Sequence, residues 1–337
     1  MMDSRERVKK VLRFEEVDRI PRDIWALPGV RMYRKEELDM VLNKYSVDFA
    51  TPDFKYGEGY RSKGVPYVKG KYTDAWGCVW HVGEDGVVGE VKGNPLREWK
   101  YLDSYKLPWE LLDNADMSNV NKSCEKSTKF MIIWTETKPF ERMQFLRGTE
   151  NLYMDLAYGD SNVYKLRDML HEFYLREIEM WANTDVDAVT FSDDWGSQKS
   201  LLISPELWRE FYKPLYKDYC DILRSKGKYV FFHSDGNIES IYPDLIEIGV
   251  NAINSQLFCM DIEKLGNSYA GKIAFWGEID RQYILPFGTT EDARNAVRRV
   301  AKAMLKDKRT GIIAQFEWGI KDPIENVLAI LEEWEKY

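Results

Sequence analysis

Short hydrophobic runs alternate with longer amphipathic segments along most of the chain. Seven of the short runs predict strands, at residues 47–54, 129–136, 187–195, 228–235, 251–257, 272–280 and 310–318. Between them, hydrophobic residues recur at helical spacing, as in 163–183. Strands that are buried on both faces and separated by helices indicate a parallel α/β sheet. Because none of the strands has a nucleotide-binding fingerprint, we predict a closed (β/α)8 TIM barrel rather than a doubly wound sheet.

Polar residues with capping preferences mark the starts of several helices. Ser4 is placed to cap the first helix, and Ser204 followed by Pro205 marks the start of a later one. Thr289 or Thr290 can cap the helix that runs to about residue 305.

The pattern changes between residues 59 and 108, where short alternating stretches are separated by turn signals such as Glu84-Asp85-Gly86. This texture is typical of β-hairpins. We predict that the segment is an N-terminal β-hairpin excursion from the barrel, and that residues 1–337 form a single domain.

Composition narrows the classes of protein to be considered. The net charge of −8 disfavours nucleic acid as a partner, since an acidic surface repels phosphate. The N-terminus has no hydrophobic core of a signal peptide, and no run is long enough to span a membrane. The four cysteines have no metal-ligand spacing, so we expect free thiols and a cytoplasmic protein.

The predicted chemistry lies where the strands end, because ligands of such barrels bind at the C-terminal ends of the strands. The polar and aromatic residues found there are Asp53, Glu136, Asp193, Asp194, Trp195, His233, Asp235, Gln256, Glu278, Asp280 and Glu317. They form an acidic ring with one histidine. Converging carboxylates repel one another and lose hydration, so a metal ion, a cationic substrate or shared protons must offset them. A divalent metal held by histidine and carboxylates is the simplest answer.

Some of these residues have a structural alternative. Asp235 and Asp280 follow strands directly and can equally be helix N-caps. Asp193 and Asp194 are adjacent and point to different sides, so at most one of them faces the cavity.

Four segments resemble the uroporphyrinogen-decarboxylase-like superfamily in order and spacing. They are SRERVKKVLRFEEVDRIPRDIW, ISPELWREFYKPLYKDYCDIL, FFHSDGNIESIYPDLIEIGVNAIN and AFWGEIDRQYILPFGTTEDARNAVR. The resemblance runs from about residue 3 to the C-terminus. That superfamily contains true decarboxylases and cobalamin-linked methyltransferases, and the chain is more similar to the methyltransferase branch.

The comparison with true decarboxylases leaves few shared features. Their Met-Arg-Gln-Ala-Gly-Arg run after an early Trp is reduced here to Arg31 after Trp25. Their substrate has eight carboxylates and needs cationic partners, whereas this rim is acidic. Asp53 matches the position of their pyrrole-binding aspartate.

The residues that end these strands are similar to the zinc site of the thiol-methylating branch, which is built from His-x-Cys and a later Cys. Here His233 keeps the histidine, Asp235 replaces the first cysteine, and Glu317 lies near the second. The resemblance therefore implies a metal site of His233, Asp235 and Glu317 for zinc or another divalent ion, with Asp194 or Glu278 as further ligands. Fewer thiolates leave the metal a stronger Lewis acid, which suits an ether or alcohol oxygen and disfavours a coenzyme thiol.

The main hypothesis is a metal-dependent methyltransferase that moves a methyl group between a small methylated compound and cobalamin carried by a separate corrinoid protein. By this reasoning the methylated compound is an O-methyl one. Catalytic candidates are Asp53, Glu136 and Asp194, and substrate-binding candidates are Trp195, Gln256, Glu278 and Asp280. The alternatives are a metal-free decarboxylase of a tetrapyrrole or smaller acid, and a non-catalytic ligand-binding barrel. The resemblance also implies a homodimer.

Overall fold

A computed structural model of the protein describes residues 2–305 and 311–337. Its strands are β1 (Arg22–Ala26), β2 (Phe49–Ala50), β3 (Gly70–Thr73), β4 (Val79–Val82), β5 (Glu90–Gly93), β6 (Phe130–Trp134), β7 (Ala188–Ser192), β8 (Tyr229–Ser234), β9 (Ala252–Ser255), β10 (Ala274–Trp276) and β11 (Ile312–Trp318). Eight of them form one parallel sheet in the order β1-β11-β10-β9-β8-β7-β6-β2. The two edges meet where the Asp48 amide donates to the Arg22 carbonyl at 2.9 Å. The sheet is thus a nearly closed barrel, and the predicted TIM-barrel fold is confirmed.

Strand β1 is the barrel strand that the hydrophobic pattern does not predict. It begins with two charged residues, Arg22 and Asp23, so it does not look like a buried strand. Both are nevertheless buried. Asp23 is accommodated because its Oδ2 accepts hydrogen bonds from the indole groups of Trp25 at 2.7 Å and Trp276 at 3.0 Å.

The α-helices surround the barrel. They are α1 (Ser4–Leu12), α2 (Pro28–Tyr33), α3 (Lys35–Lys44), α4 (Glu110–Asp113), α5 (Val120–Lys126), α6 (Pro139–Arg147), α7 (Thr149–Tyr158), α8 (Ser161–Ala182), α9 (Pro205–Leu207), α10 (Lys213–Ser225), α11 (Tyr242–Ile248), α12 (Ile262–Tyr269), α13 (Ile284–Phe287), α14 (Thr290–Met304) and α15 (Ile324–Trp334). A π-helical turn at Trp208–Tyr212 joins α9 to α10. Among the described residues, no helix combines the length and hydrophobicity needed to cross a bilayer.

Capping hydrogen bonds test the predicted helix starts. Ser204 caps α9, and Thr289 caps α14 through a capping box with Asp292. The predicted Ser4 cap is wrong: Asp3 caps α1 by accepting from the Glu6 amide at 2.8 Å. Aspartate and serine have similar N-cap preferences, so the two adjacent candidates could not be separated by residue type.

Alternation along the strands divides the hydrophobic core into two clusters. On β8, Tyr229 and Phe231 pack inside the barrel, whereas Val230 and Phe232 pack against the outer helices. The inner cluster also contains Val8, Val11 and Leu12 of α1, so this helix packs against the barrel interior. Residues two positions beyond an inward-facing residue face inward as well, which determines the side chains at the mouth of the barrel.

The predicted hairpin excursion is present as a three-stranded antiparallel sheet in the order β3-β4-β5. Arg142 of α6 joins it to the barrel. Its guanidinium pairs with Glu136 at 2.9 Å and with Asp74 of the excursion at 3.5 Å, and lies 4.3 Å from the ring centre of Trp76. The excursion is therefore packed against the barrel by a buried, charge-compensated contact.

Candidate functional site

His233 lies at the centre of the candidate site. It follows the inward-facing Phe231 on β8, and its side chain is buried. Its Nδ1 is 2.6 Å from Oδ1 of Asn254, and the Asn254 amide nitrogen in turn contacts the Gln315 Oε1 at 2.8 Å. Because the Asn254 oxygen can only accept, Nδ1 carries the proton of the neutral ring. The lone pair of Nε2 is thus left for another partner.

Two carboxylates face Nε2 of His233. Asp194 Oδ1 is 3.6 Å away and Asp235 Oδ1 is 3.7 Å away, both too long for hydrogen bonds. Two ligand atoms on a tetrahedral zinc with bonds of ~2.0 Å lie about 3.3 Å apart, close to these separations. The three side chains form the cluster in the described residues whose ligand atoms all lie within 4.8 Å of one another.

The two oxygens of Asp235 have different surroundings. Oδ2 pairs with the guanidinium of Arg281, whereas Oδ1 is buried and has no hydrogen-bond partner among the described residues. A buried carboxylate oxygen without a partner costs free energy. A cation at this position would remove that cost, so the residues present fit a divalent metal.

Glu317 does not join His233 and Asp235 as the sequence predicts. Its Oε2 pairs with Arg281, which bridges Glu317 and Asp235. Glu317 still acts on the site through its charge. Burial opposes charge on His233, but Asp194, Asp235 and Glu317 outweigh it and raise the pKa of the imidazole.

Glu278 faces the same region from the end of β10. Its side chain is buried, and Oε2 has no hydrogen-bond partner among the described residues. Burial raises the pKa of Glu278 well above its ordinary value, and the nearby carboxylates of Glu317 and Asp235 add to this despite Arg281. The raised pKa favours the protonated form of this carboxyl group, which can act as a proton donor.

Asp193 and Asp194 divide as predicted, with one of the two facing the cavity. Asp193 is fully buried and accepts hydrogen bonds from the amides of Phe140 and Glu141 at the start of α6, both at 2.8 Å. It thus holds the N-terminus of that helix. Asp194 Oδ1 faces His233 and also accepts from the Asp235 amide at 2.8 Å. This hydrogen bond couples the ends of β7 and β8.

Three tryptophans lie beside His233 inside the barrel. Trp25 and Trp134 make edge contacts with the imidazole, at centroid distances of 5.4 and 6.1 Å, and Trp276 is 4.8 Å from Trp25. Their indole rings form an apolar floor for the site. Asp23 is hydrogen bonded to two of them from below, and burial raises the pKa of Asp23 to about 6.

A cavity of about 880 Å³ lies between the excursion and α6. Its lining combines aromatic and charged side chains, among them Tyr56, Tyr72, Trp80, Glu136, Lys138 and Glu141. Glu141 links this cavity to the cluster of Asp194, His233 and Asp235: burial raises the pKa of Glu141, and the charge of Asp194 adds to this while Lys138 opposes it. The predicted candidate Glu136 thus lines the cavity, paired with Arg142 rather than with His233.

The remaining predicted site residues lie in several environments. Trp195 is fully buried, stacked on Phe140 at 4.2 Å, so the predicted substrate contact has no exposed surface. Gln256 is buried and accepts from the Gly236 amide at 3.0 Å. Asp280 accepts from the amides of Gln282 and Tyr283 in the turn before α13, at 2.8 and 2.9 Å, so it holds this turn and does not cap the helix, whose N-cap residue is Tyr283.

Asp53 is exposed, and its backbone amide donates a hydrogen bond to the Ser123 hydroxyl oxygen at 3.0 Å. Its proposed role in catalysis stays a prediction.

Arg281 and Asn254 are the site residues that sequence reasoning missed. Arg281 lies one residue beyond Asp280, in a turn rather than at the end of a strand, so no strand pattern indicates it. Asn254 was more accessible to prediction. It lies on β9, two residues before Gln256, at an inward-facing position of the predicted strand.

Comparison with known proteins gives a family and a fold. The family model described as uroporphyrinogen decarboxylase (URO-D) matches residues 75–337, and no curated protein matches the chain in sequence. The solved structure of a methyltransferase from Methanosarcina mazei has a TM-score of 0.72 at 16% identity, over 100% of this chain and 99% of that one. The match to a xylanase from Gloeophyllum trabeum covers 96% of this chain and 99% of the xylanase chain. Its TM-score is 0.47 at 9% identity, and it carries no argument. The barrel is therefore shared with the methyltransferase structure, and the chain belongs to the uroporphyrinogen decarboxylase (URO-D) family.

Proposed function

We propose that the protein is a metal-dependent methyltransferase, which moves a methyl group between a small O-methyl compound and cobalamin on a separate corrinoid protein. The observation that carries this proposal is the cluster of Asp194, His233 and Asp235. The resemblance to the thiol-methylating branch implies Glu317 as the third ligand. The proposed set replaces it with Asp194, because Glu317 is paired with Arg281.

The cluster suits zinc or another divalent ion. One imidazole nitrogen and two carboxylate oxygens are three protein ligands, a number typical of catalytic zinc sites that keep a position open for substrate. The two carboxylates would neutralise the ion's charge. When bound, the metal supplies Lewis acidity that polarises the oxygen carrying the methyl group.

The surrounding residues orient this cluster and exclude water. Asn254 holds the His233 ring with Nε2 toward the carboxylates, as the outer partners of metal-binding histidines do. Trp25 and Trp134 cover one side of the ring. Once the methyl group is lost, the substrate oxygen needs a proton, and we assign Glu278 as its donor because burial raises the pKa of this carboxyl group above its ordinary value.

The methyltransferase from Methanosarcina mazei supports a methyl-transfer reaction in this fold, since the two chains align over their full lengths. The identity of 16% leaves substrate, corrinoid partner and metal to experiment. The expected homodimer and cytoplasmic location also stay predictions.

Decarboxylation of a polycarboxylate is less well supported. Such a substrate needs free cationic side chains, but Lys138, Arg142 and Arg281 each lie within 4 Å of a carboxylate. A non-catalytic barrel is also less well supported, because it would carry the free-energy cost of the unpartnered oxygens of Asp235 and Glu278 with no activity to which they contribute.

The first experiment measures metal content of the protein purified without chelators. We expect about one divalent ion per chain, lost in His233→Ala and Asp194→Asn. His171→Ala is the matched control, because that histidine lies in α8 and contacts Tyr219 instead. The loaded protein is then mixed with methoxylated compounds and reduced cobalamin, and methylcobalamin is followed by its absorption. A metal-free wild type would contradict the metal assignment, and release of CO₂ from a porphyrinogen would favour the decarboxylase.

A further inference from the structure

Arg281 is the cation closest to the proposed ligands among the described residues. Its two terminal nitrogens contact different carboxylates, Nη1 that of Glu317 and Nη2 that of Asp235. The Arg281 side chain is mostly buried, with 22% of it exposed. Burial opposes charge on the guanidinium, but Glu317 and Asp235 outweigh it and raise the pKa of Arg281. The arginine is thus a permanent positive charge inside the acidic ring.

The bridge gives the two carboxylates different roles. Asp235 contacts Arg281 through Oδ2 alone, so Oδ1 remains directed at Nε2 of His233, 3.7 Å away. Glu317 faces the barrel interior on β11, two residues beyond Gln315, and its side chain is 8% exposed. Its pairing with Arg281 holds it out of the cluster, although it is close enough to His233 to raise the pKa of the ring.

Charge balance supports this division. Asp194 and Asp235 together offset one divalent ion, and Arg281 offsets Glu317. Without Arg281, a third carboxylate would be left uncompensated beside the metal, and coordination would be the simplest way to satisfy it.

We propose that Arg281 is a positioning residue that selects the metal ligands: it directs one oxygen of Asp235 to the metal and withholds Glu317, so that a coordination position stays open. This inference rests on the proposed metal site and concerns which carboxylates bind the ion. It predicts that Glu317 becomes a ligand when Arg281 is removed.

The test is a double-mutant cycle on metal affinity with Arg281→Met and Glu317→Gln, singly and together. Affinity for Zn²⁺ is measured by competition with a chromophoric chelator, and coordination number by the visible absorption of the Co²⁺-loaded protein. Arg281→Lys is the second variant, since it retains the charge and loses the two-pronged contact. Arg31→Met is the control, because Arg31 donates to the Ala26 carbonyl.

We expect Glu317→Gln alone to change Zn²⁺ affinity by less than about tenfold, below the range typical for outer partners of metal ligands. Arg281→Met should tighten binding and weaken the Co²⁺ absorption bands, as a higher coordination number does. In the Arg281→Met protein, Glu317→Gln should weaken Zn²⁺ affinity by roughly tenfold or more beyond its effect in the wild type. A coupling of this size is within the range for residues in contact. Arg281→Lys should lie between these cases, and it provides the measurement if Arg281→Met does not fold.

Two results overturn the inference. If Glu317→Gln alone weakens Zn²⁺ affinity as much as Asp194→Asn does, Glu317 is a metal ligand in the wild type even though Arg281 is present. Additive effects in the cycle would show that Arg281 does not control Glu317. A wild type that binds no divalent ion is a different outcome, which removes the metal from the proposed function and the inference with it.

Discussion

Asp23 offers a prediction in which the magnitude follows from the structure. Its carboxylate is enclosed by the barrel interior and accepts hydrogen bonds from Trp25 and Trp276. Burial raises its pKa from the ordinary 3.8 to about 6, and the two indole hydrogen bonds only partly oppose this. The substitution Asp23→Asn keeps the shape and the accepting oxygen and removes the charge.

The sign follows from proton linkage. The folded state binds the Asp23 proton more tightly than the unfolded state, so Asp23 contributes most to stability below about pH 4. That contribution is lost as pH rises through 6. A shift of about two pKa units corresponds to roughly 3 kcal/mol. We expect the free energy of unfolding of Asp23→Asn, minus that of the wild type, to rise by up to about 3 kcal/mol between pH 4 and pH 7.

Urea unfolding at constant ionic strength, followed by tryptophan fluorescence and circular dichroism, measures this difference at each pH. Contributions from other titrating groups cancel because both proteins contain them. Asp53→Asn is the control, since Asp53 is exposed. A difference that stays constant from pH 4 to pH 7 would refute the reasoning, and one that falls with pH would show that the indole hydrogen bonds outweigh burial.

Three further substitutions separate the site from its supports. Asn254→Leu removes the acceptor that orients the histidine ring and should weaken metal affinity by about 10–100-fold, as measured by chelator competition. Trp195→Ala should lower the free energy of unfolding by about 3–5 kcal/mol and leave the metal content unchanged, because the side chain is packed in the core. Arg142→Met should leave Glu136 and Asp74 unpaired and loosen the excursion, which limited proteolysis would detect as faster cleavage within 59–108; unchanged cleavage would contradict the buried joint.

The fold could be predicted because seven of the eight barrel strands are hydrophobic in sequence. Strand β1 could not, since Arg22 and Asp23 are polar and become acceptable only through partners elsewhere in the chain. Asp23 accepts from Trp276, which is 253 positions away. Such a contact leaves no local pattern, and the strand was visible only as part of a family resemblance.

Alternation explains which site residues were predicted well. On β7, Ala188 faces the interior, so Asp194 does too, whereas Trp195 follows Val189 and Phe191 toward the outer helices. The strand pattern therefore already contained the argument against Trp195 as a substrate contact. It could not show whether Glu317 reaches His233, because alternation gives the direction of a side chain and not its partner.

The acidic ring illustrates the same limit in terms of charge. The sequence required something to offset converging carboxylates, and a metal was the simplest single answer. In the structure the offset is divided: Arg281 compensates Glu317 and one oxygen of Asp235, and burial raises the pKa of Glu278, which favours its uncharged form. What remains is Asp194 and the free oxygen of Asp235, both beside His233 Nε2 at distances of 3.6 and 3.7 Å that are too long for hydrogen bonds. The uncompensated negative charge is thus smaller than the number of carboxylates implied. It lies within the cluster of three side chains that a single divalent ion can reach.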